Sequence, residues 1–201
     1  MRKGWAVWAV VGSLVVVGAG QAFDTVKTNK TGIAGRVIGM NSVKVDLQQA
    51  GAAALRREIF VNQIQTIYYD DDPKELKTAK DLVLEGRCAE ALASLSRIKK
   101  EPGRAEVQQD IEFYKAYCAA KLALEGNGKI TDSPEGPGAG RLMKAFADSY
   151  PNSYHYFEAS ELVGELLLAV RQYSQAADYF ARLAKAPDRK STRLNSSHGI
   201  I

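Results

Sequence analysis

Residues 161–183 read ELVGELLLAVRQYSQAADYFARL, and this stretch decides the fold. Leu162, Val163, Leu166, Leu167 and Val170 fall on one side of a helix with 3.6 residues per turn. After Arg171-Gln172-Tyr173 the pattern restarts, with Ala176, Ala177, Phe180 and Leu183 as a second apolar face. Two apolar faces joined by so short a connection fold back on each other. Gly164 and Ala176 are small where the helices must touch. Phe180 is the large residue that fills the groove between them, and its place in the pattern predicts a full core position.

Working outward, the same order of small and large residues recurs. An earlier unit has Ala79-x2-Leu82, then Gly86-Arg87-Cys88, Ala91-x3-Leu95-x2-Ile98 and Pro102. A middle unit has Cys118-Ala119-x2-Leu122, then Ala139-x3-Met143-x2-Phe146 and Tyr150-Pro151. Repetition at this scale is the mark of a helical array in which each hairpin buries its face only by stacking on the next. The last unit, with Gly164-x2-Leu167, Ala176-x3-Phe180-x2-Leu183 and Pro187, resembles a tetratricopeptide repeat. The other two resemble it in spacing, although Glu75, Lys115 and Ser160 stand where a Trp is usual and Leu stands where a Tyr is usual. The resemblance implies a mainly α fold, a tetratricopeptide-type α-solenoid of about three helical hairpins over residues 71–187. Tyr150-Pro151-Asn152-Ser153 is similar to the hairpin junctions of envelope-located bacterial members. The middle unit carries an insertion, Asn127 to Gly138. With no Gly-Lys-Ser/Thr after it and no strand before it, the reading is a flexible connecting loop and not a phosphate cradle.

Ahead of the helices the period becomes that of strands. Ile33–Met40, Val43–Leu47, Glu58–Val61 and Gln65–Tyr69 are short, β-branched or aromatic, and separated by turn signals such as Asn41-Ser42. Residues 23–70 are therefore expected to form a small antiparallel β module of four strands, which resembles an SH3-like or Sm-like barrel. Asp70-Asp71-Asp72-Pro73 marks the change to helix. Asp72 reads as the N-cap, Pro73 as the first helical residue and Glu75 as the return partner of a capping box. The spaced oxygen ligands of a calcium loop are missing, and no metal site is expected.

Both ends stand apart. Arg2 and Lys3, the apolar run Trp5 to Val17 and the small residues Gly20 and Ala22 predict a secretory signal over residues 1–22, cleaved after Ala22. The apolar run is shorter than the ~20 residues of a membrane span, so no stable span is expected after cleavage; an uncleaved amino-terminal anchor is the other reading. Residues 188–198, DRKSTRLNSSH, look like a translated sequencing adapter. Residues 188–201 are then an artefact, and the natural chain is cut near Pro187; a disordered polar tail is the alternative. Arg2, Lys3, Arg189, Lys190 and Arg193, less Asp188, account for the whole formal charge of +4. The remainder is neutral and lacks a Lys/Arg cluster, which removes the electrostatic footprint of nucleic-acid binding.

The residues offer no chemistry of their own. His155, between Tyr154 and Tyr156, has no nucleophile or metal partner nearby in sequence, and reads as structural. Neither a Gly-x-Ser-x-Gly nor an HExxH motif occurs. No cofactor, metal or small-molecule substrate is expected, and the chain is not expected to be an enzyme. Cys88 and Cys118 read as buried small hydrophobes, with pairing in an oxidising compartment left open.

What the resemblance offers instead is a concave face lined by the first helix of each hairpin. Glu158, Glu161 and Glu165 fall on the groove-facing side of the last unit, while Phe113, Ala116, Ala120, Ala123 and Leu124 form the apolar counterpart in the middle unit. The expected partner-binding residues are Phe113, Leu124, Glu158, Glu161 and Glu165, and the expected partner is an amphipathic protein segment or peptide carrying Lys or Arg. The expectation is an exported, non-catalytic interaction scaffold in the periplasm or cell envelope of a bacterium. The alternative is the structural amino-terminal part of a longer protein, an enzyme among the options, whose functional domain is missing.

Overall fold

The computed structural model describes residues 23–49, 55–100, 102–134 and 136–185. The expected signal segment and the adapter-like tail lie outside the described residues. Five strands come first: β1 (Asp24–Thr28), β2 (Gly32–Met40), β3 (Lys44–Gln49), β4 (Arg56–Phe60) and β5 (Ile64–Tyr68), with a 3₁₀ turn at Val61–Gln63. Six helices follow: α1 (Lys74–Leu84), α2 (Cys88–Leu95), α3 (Ala105–Leu124), α4 (Ala139–Ser149), α5 (Tyr156–Ala169) and α6 (Tyr173–Lys185).

The strands make one antiparallel sheet in the order β4-β3-β2-β1-β5. Alternation sets its inner face. Ile33 and Val37 of β2 are buried while Ala34, Arg36 and Ile38 face out, and Val45 and Leu47 do the same for β3. The expected four strands are present, and β1 is a fifth. It pairs with both β2 and β5 and so closes the order that those strands begin.

The helices pack in sequence order, α1 on α2, α2 on α3, α3 on α4, α4 on α5 and α5 on α6. One hydrophobic core runs from Val26 in the sheet through Leu76, Leu95, Ile111 and Met143 to Leu166. The α5–α6 contact depends on Gly164. A methyl group there would lie 2.4 Å from Phe180 Cζ, so the tip of the ring sits where a side chain would otherwise be. Phe180 itself is only partly buried; α6 fully buries Ala176 and Leu183. The core position expected for Phe180 is thus half-open, because α6 is covered on one side only.

Two further expectations are corrected. The helix α1 begins at Lys74, with Pro73 as its cap and no side-chain cap bond. Asp72 instead turns inward, accepting the Tyr69 N–H at 3.1 Å. The Asn127–Gly138 insertion is pinned, not a free linker. Lys129 and Ile130 carbonyls accept the N–H groups of Ala139 and Gly140 at 2.9 Å, and Asp132 accepts that of Gly138 at 2.8 Å. These bonds satisfy the orphan donors that open α4. The turn is so tight that a side chain on Gly138 would collide with the Thr131 backbone at 2.3 Å.

Candidate functional site: an acidic face backed by a buried charge chain

Helix α5 buries Ala159, Ser160, Leu162, Val163, Gly164 and Leu166. That commits the opposite side to solvent, where Glu158 and Glu165 are exposed and Glu161 is half-buried. The acidic stripe expected from spacing is therefore present at the surface. Tyr117 lies on α3, which packs on α5, and is half-buried. Burial, and then the charges of Glu158 and Glu165, push the Tyr117 hydroxyl far above its ordinary pKa. Lys121 Nζ sits 5.5 Å from the centre of the same ring.

The apolar counterpart is placed differently from the expectation. Phe113 is 1% exposed, stacked on the His155 imidazole with centroids 3.5 Å apart and planes 13° from parallel. It also meets Tyr114, Tyr117 and Phe146 at 5.2–5.4 Å. Ala116, Ala120 and Ala123 are buried as well, and Leu124 is half-buried against the core. Phe113 cannot touch a partner from there. The physical reason is that α2, α4 and α5 all pack on α3, so this helix has apolar groups on most of its circumference and little free surface.

Behind the stripe lies a chain of charges. Lys80 of α1 is wholly buried, yet its ammonium donates to Asp72 Oδ2 at 2.6 Å and to the Ile67 carbonyl of β5 at 2.6 Å. It also pairs with Asp110 Oδ2 of α3 at 2.7 Å. The other Asp110 oxygen lies 3.2 Å from His155 Nε2, and His155 Nδ1 is 3.9 Å from Glu158 Oε2 at the surface. Tyr154 donates to Asp110 at 3.5 Å, and the Tyr114 and Thr66 hydroxyls share a bond of 2.8 Å. A polar path therefore leads from a β5 carbonyl, through α1 and α3, to the first carboxylate of the stripe.

The two buried carboxylates behave in opposite ways. Burial raises the Asp72 pKa to about 6, against the opposing pull of Lys80. Burial also acts on Asp110, but the Lys80 charge and the His155 contact outweigh it and hold Asp110 below the usual carboxylate range. Burial, and then the Asp110 charge, drive the Tyr69, Tyr114 and Tyr154 hydroxyls well above 10. Tyr114 and Tyr154 therefore act as neutral hydrogen-bonding groups, while the buried Tyr69 hydroxyl has no hydrogen-bond partner.

A second cluster ties the sheet to α3. Asp24 of β1 is buried and accepts the Val37 N–H at 2.8 Å and the Asp70 N–H at 3.1 Å. Arg104 meets both its oxygens, at 2.9 and 3.2 Å, and lies 4.5 Å over the Tyr69 ring. Elsewhere, a cleft of about 500 Å³ separates α4 from α6 over a floor of Val163, Leu166 and Leu167, with Arg141, Lys144 and Arg182 on its rim. No helix among the described residues is long and apolar enough to cross a membrane.

Spacing alone passes over Lys80, Asp110 and Tyr117. A signal for the first two does exist. Lys80 is in phase with Leu76 and Ala79, and Asp110 is in phase with Val107, Ile111 and Tyr114. A charge on the apolar side of a helix must find a partner or be expelled. Comparisons of the chain with family models, with curated proteins and with solved structures find no match.

Proposed function

We propose that this chain is a non-catalytic protein-interaction scaffold of the tetratricopeptide type, exported to a bacterial cell envelope, that receives a basic amphipathic segment on the α5 face. The carrying observation is the stripe of Glu158, Glu161 and Glu165 on the solvent side of α5, with the half-buried Tyr117 on α3, the helix that α5 packs against. Carboxylates at the surface draw a Lys- or Arg-bearing segment toward the groove, and the half-buried ring gives it an apolar seat.

Three further observations favour the repeat reading. The helices pack as consecutive hairpins, Gly164 receives Phe180 at the spacing quoted from sequence, and the pinned insertion leaves α3 and α4 paired. The strand order, with a 3₁₀ turn between β4 and β5, supports an SH3-like module in front. The polar path to Lys80 suits a scaffold whose two parts must hold a fixed angle.

The test is binding kinetics with an amphipathic Lys/Arg-rich peptide, its charge-reversed counterpart, and protein carrying Glu158→Lys, Glu161→Lys and Glu165→Lys. Association with the basic peptide should be fast and salt-sensitive, and the triple variant should lose about tenfold or more in on-rate. Tyr117→Ala should speed dissociation. Equal binding of both peptides, or a triple variant with unchanged salt dependence, removes the stripe from the function.

A further inference from the structure

Asn127-Gly128 opens the insertion between α3 and α4, and no other asparagine in the chain precedes a glycine. Both residues are exposed and line a cleft of about 480 Å³ beside α2 and α3, so water reaches them. Among the described residues, neither the Asn127 side-chain amide nor the Gly128 N–H has a hydrogen-bond partner. A close approach favours glycine here, since a side chain on residue 128 would begin 3.2 Å from the Ala123 nitrogen. A primary amide and a backbone nitrogen with no Cβ beside it are thus adjacent, wet and unengaged. The other asparagines differ. Asn41 Oδ1 accepts the Val43 and Lys44 N–H groups at 2.8 and 2.9 Å. After Asn29 and Asn152, the Lys30 N–H is donated to Thr28 Oγ1 at 3.3 Å and the Ser153 N–H to the Tyr150 carbonyl at 3.0 Å.

We propose that Asn127 is a spontaneous modification site that converts through a succinimide to isoaspartate, and that this one-way step unpins α4. The Gly128 nitrogen gives its proton to a solvent base and attacks Asn127 Cγ. A C–N bond forms, the Cγ–Nδ2 bond breaks, and the leaving nitrogen departs as ammonia. Water then opens the ring at one of its two carbonyls. Breaking the bond from the Asn127 main-chain carbonyl leaves the chain running through Cβ and Cγ, which is isoaspartate; breaking the new bond gives aspartate. One ammonia leaves, one water enters, and nothing is oxidised or reduced. The chemistry is the ordinary thermal lability of asparagine, focused on one bond.

Its position gives the product a structural consequence. On the upstream side, the Gly126 and Asn127 N–H groups donate to the Ala123 and Leu122 carbonyls at 3.2 and 2.8 Å and close the end of α3. On the downstream side, the Lys129 and Ile130 carbonyls accept the Ala139 and Gly140 N–H groups at 2.9 Å and open α4. Isoaspartate inserts one extra carbon into the main chain between those anchors. A span tied at both ends has no slack for it. Helix α3 is packed by four other helices, so the bonds to α4 give way first. The first turn of α4 then loses the partners of its orphan donors.

The experiment incubates the full chain in warm, mildly alkaline buffer and maps its peptides by mass spectrometry, with fragmentation that separates isoaspartate from aspartate. Asn127 should convert before any other asparagine, with isoaspartate as the main product, and Asn127→Gln should stay unconverted at that position. Hydrogen exchange at Gly138, Ala139 and Gly140 should speed severalfold in the isoaspartyl protein. It should stay near wild type in Asn127→Asp, which gains the charge without the extra carbon. Earlier conversion of another asparagine, an intact Asn127 when a urea-unfolded control has fully reacted, or aspartate as the main product would each overturn the proposal. So would unchanged exchange at the three amides, or equally fast exchange in Asn127→Asp. The wild-type peptide map decides the chemistry without any variant.

Discussion

Replacing Lys80 by Met tests whether the buried charge chain holds the sheet to the helices. Met has nearly the shape of the lysine stem, so packing is largely kept and the ammonium is lost. Three bonds go with it, to Asp72, Asp110 and the Ile67 carbonyl, all at 2.6–2.7 Å. Two carboxylates are left in the interior without their shared cation. Removing one partner of a buried pair typically costs about 3–5 kcal/mol, and here one cation serves two anions, so the upper half of that range is expected. The assay is urea unfolding followed by circular dichroism and by tryptophan-independent tyrosine fluorescence, read for both midpoint and slope. The companion protein, Lys80→Met with Asp72→Asn and Asp110→Asn, keeps the shapes and removes all three charges. It should recover more than half the loss, because a neutral, hydrogen-bonded cluster carries no stranded charge. A Lys80→Met loss below about 1 kcal/mol would refute the reasoning, since a wholly buried and triply bonded ammonium cannot be that dispensable. So would a companion no more stable than the single variant.

Asp72 contributes its own pH dependence. Its folded pKa of about 6 lies above the ordinary carboxylate value, so its contribution is fully present below about pH 4 and is lost as pH rises through about 6. Unfolding titrations of wild type and Asp72→Asn from pH 4 to 7 should diverge by about 3 kcal/mol in favour of the Asn protein, and parallel curves would count against it. Gly164→Ala should destabilise by about 1–2 kcal/mol despite the better helix propensity of Ala, because the added methyl meets the Phe180 ring; chemical denaturation checks this, with Phe180→Leu expected to relieve it. Phe180→Ala alone should cost about 1–3 kcal/mol, less than a full core aromatic, by the same measurement. Asp24→Ala should cost about 1–3 kcal/mol in thermal or urea unfolding, since it leaves the Val37 and Asp70 N–H groups without their carboxylate, while Arg104 keeps Glu106 and the Val37 carbonyl.

Strands β2 and β3 are legible in the sequence because one face of each is buried, which forces alternation, and β4 and β5 are legible from their β-branched and aromatic residues. β1 is not, because Asp24-Thr25-Val26-Lys27-Thr28 has a single apolar residue, and its other inward group is a carboxylate satisfied by Arg104 from far along the chain. The helices are legible from their period and from the glycines and prolines between them. The acidic stripe is legible too, since the buried side of α5 leaves Glu158, Glu161 and Glu165 only one place to go. Phe113 is misplaced for an equally physical reason. A helix packed by four others, α1, α2, α4 and α5, has no single apolar stripe, so the sequence of α3 does not say which side is free. Lys80 and Asp110 look like ordinary surface charges when read singly. They become meaningful only together, and their pairing is fixed by tertiary structure.

The polar path from Ile67 to Glu158 also has a timetable. A chain leaves the ribosome amino end first, at ~5–20 residues per second, so β5 and Lys80 are made well before their partners. Asp110 and His155 follow roughly 30 and 75 residues after Lys80, several seconds later at those rates. During that interval Lys80 has only Asp72 and a carbonyl to satisfy it, and the sheet has no finished surface to lean on. Until residues 104–110 are made, the newborn amino-terminal half lacks both the arginine and the carboxylate that tie its sheet and first helix to α3, a window in which its apolar face is still open to a chaperone.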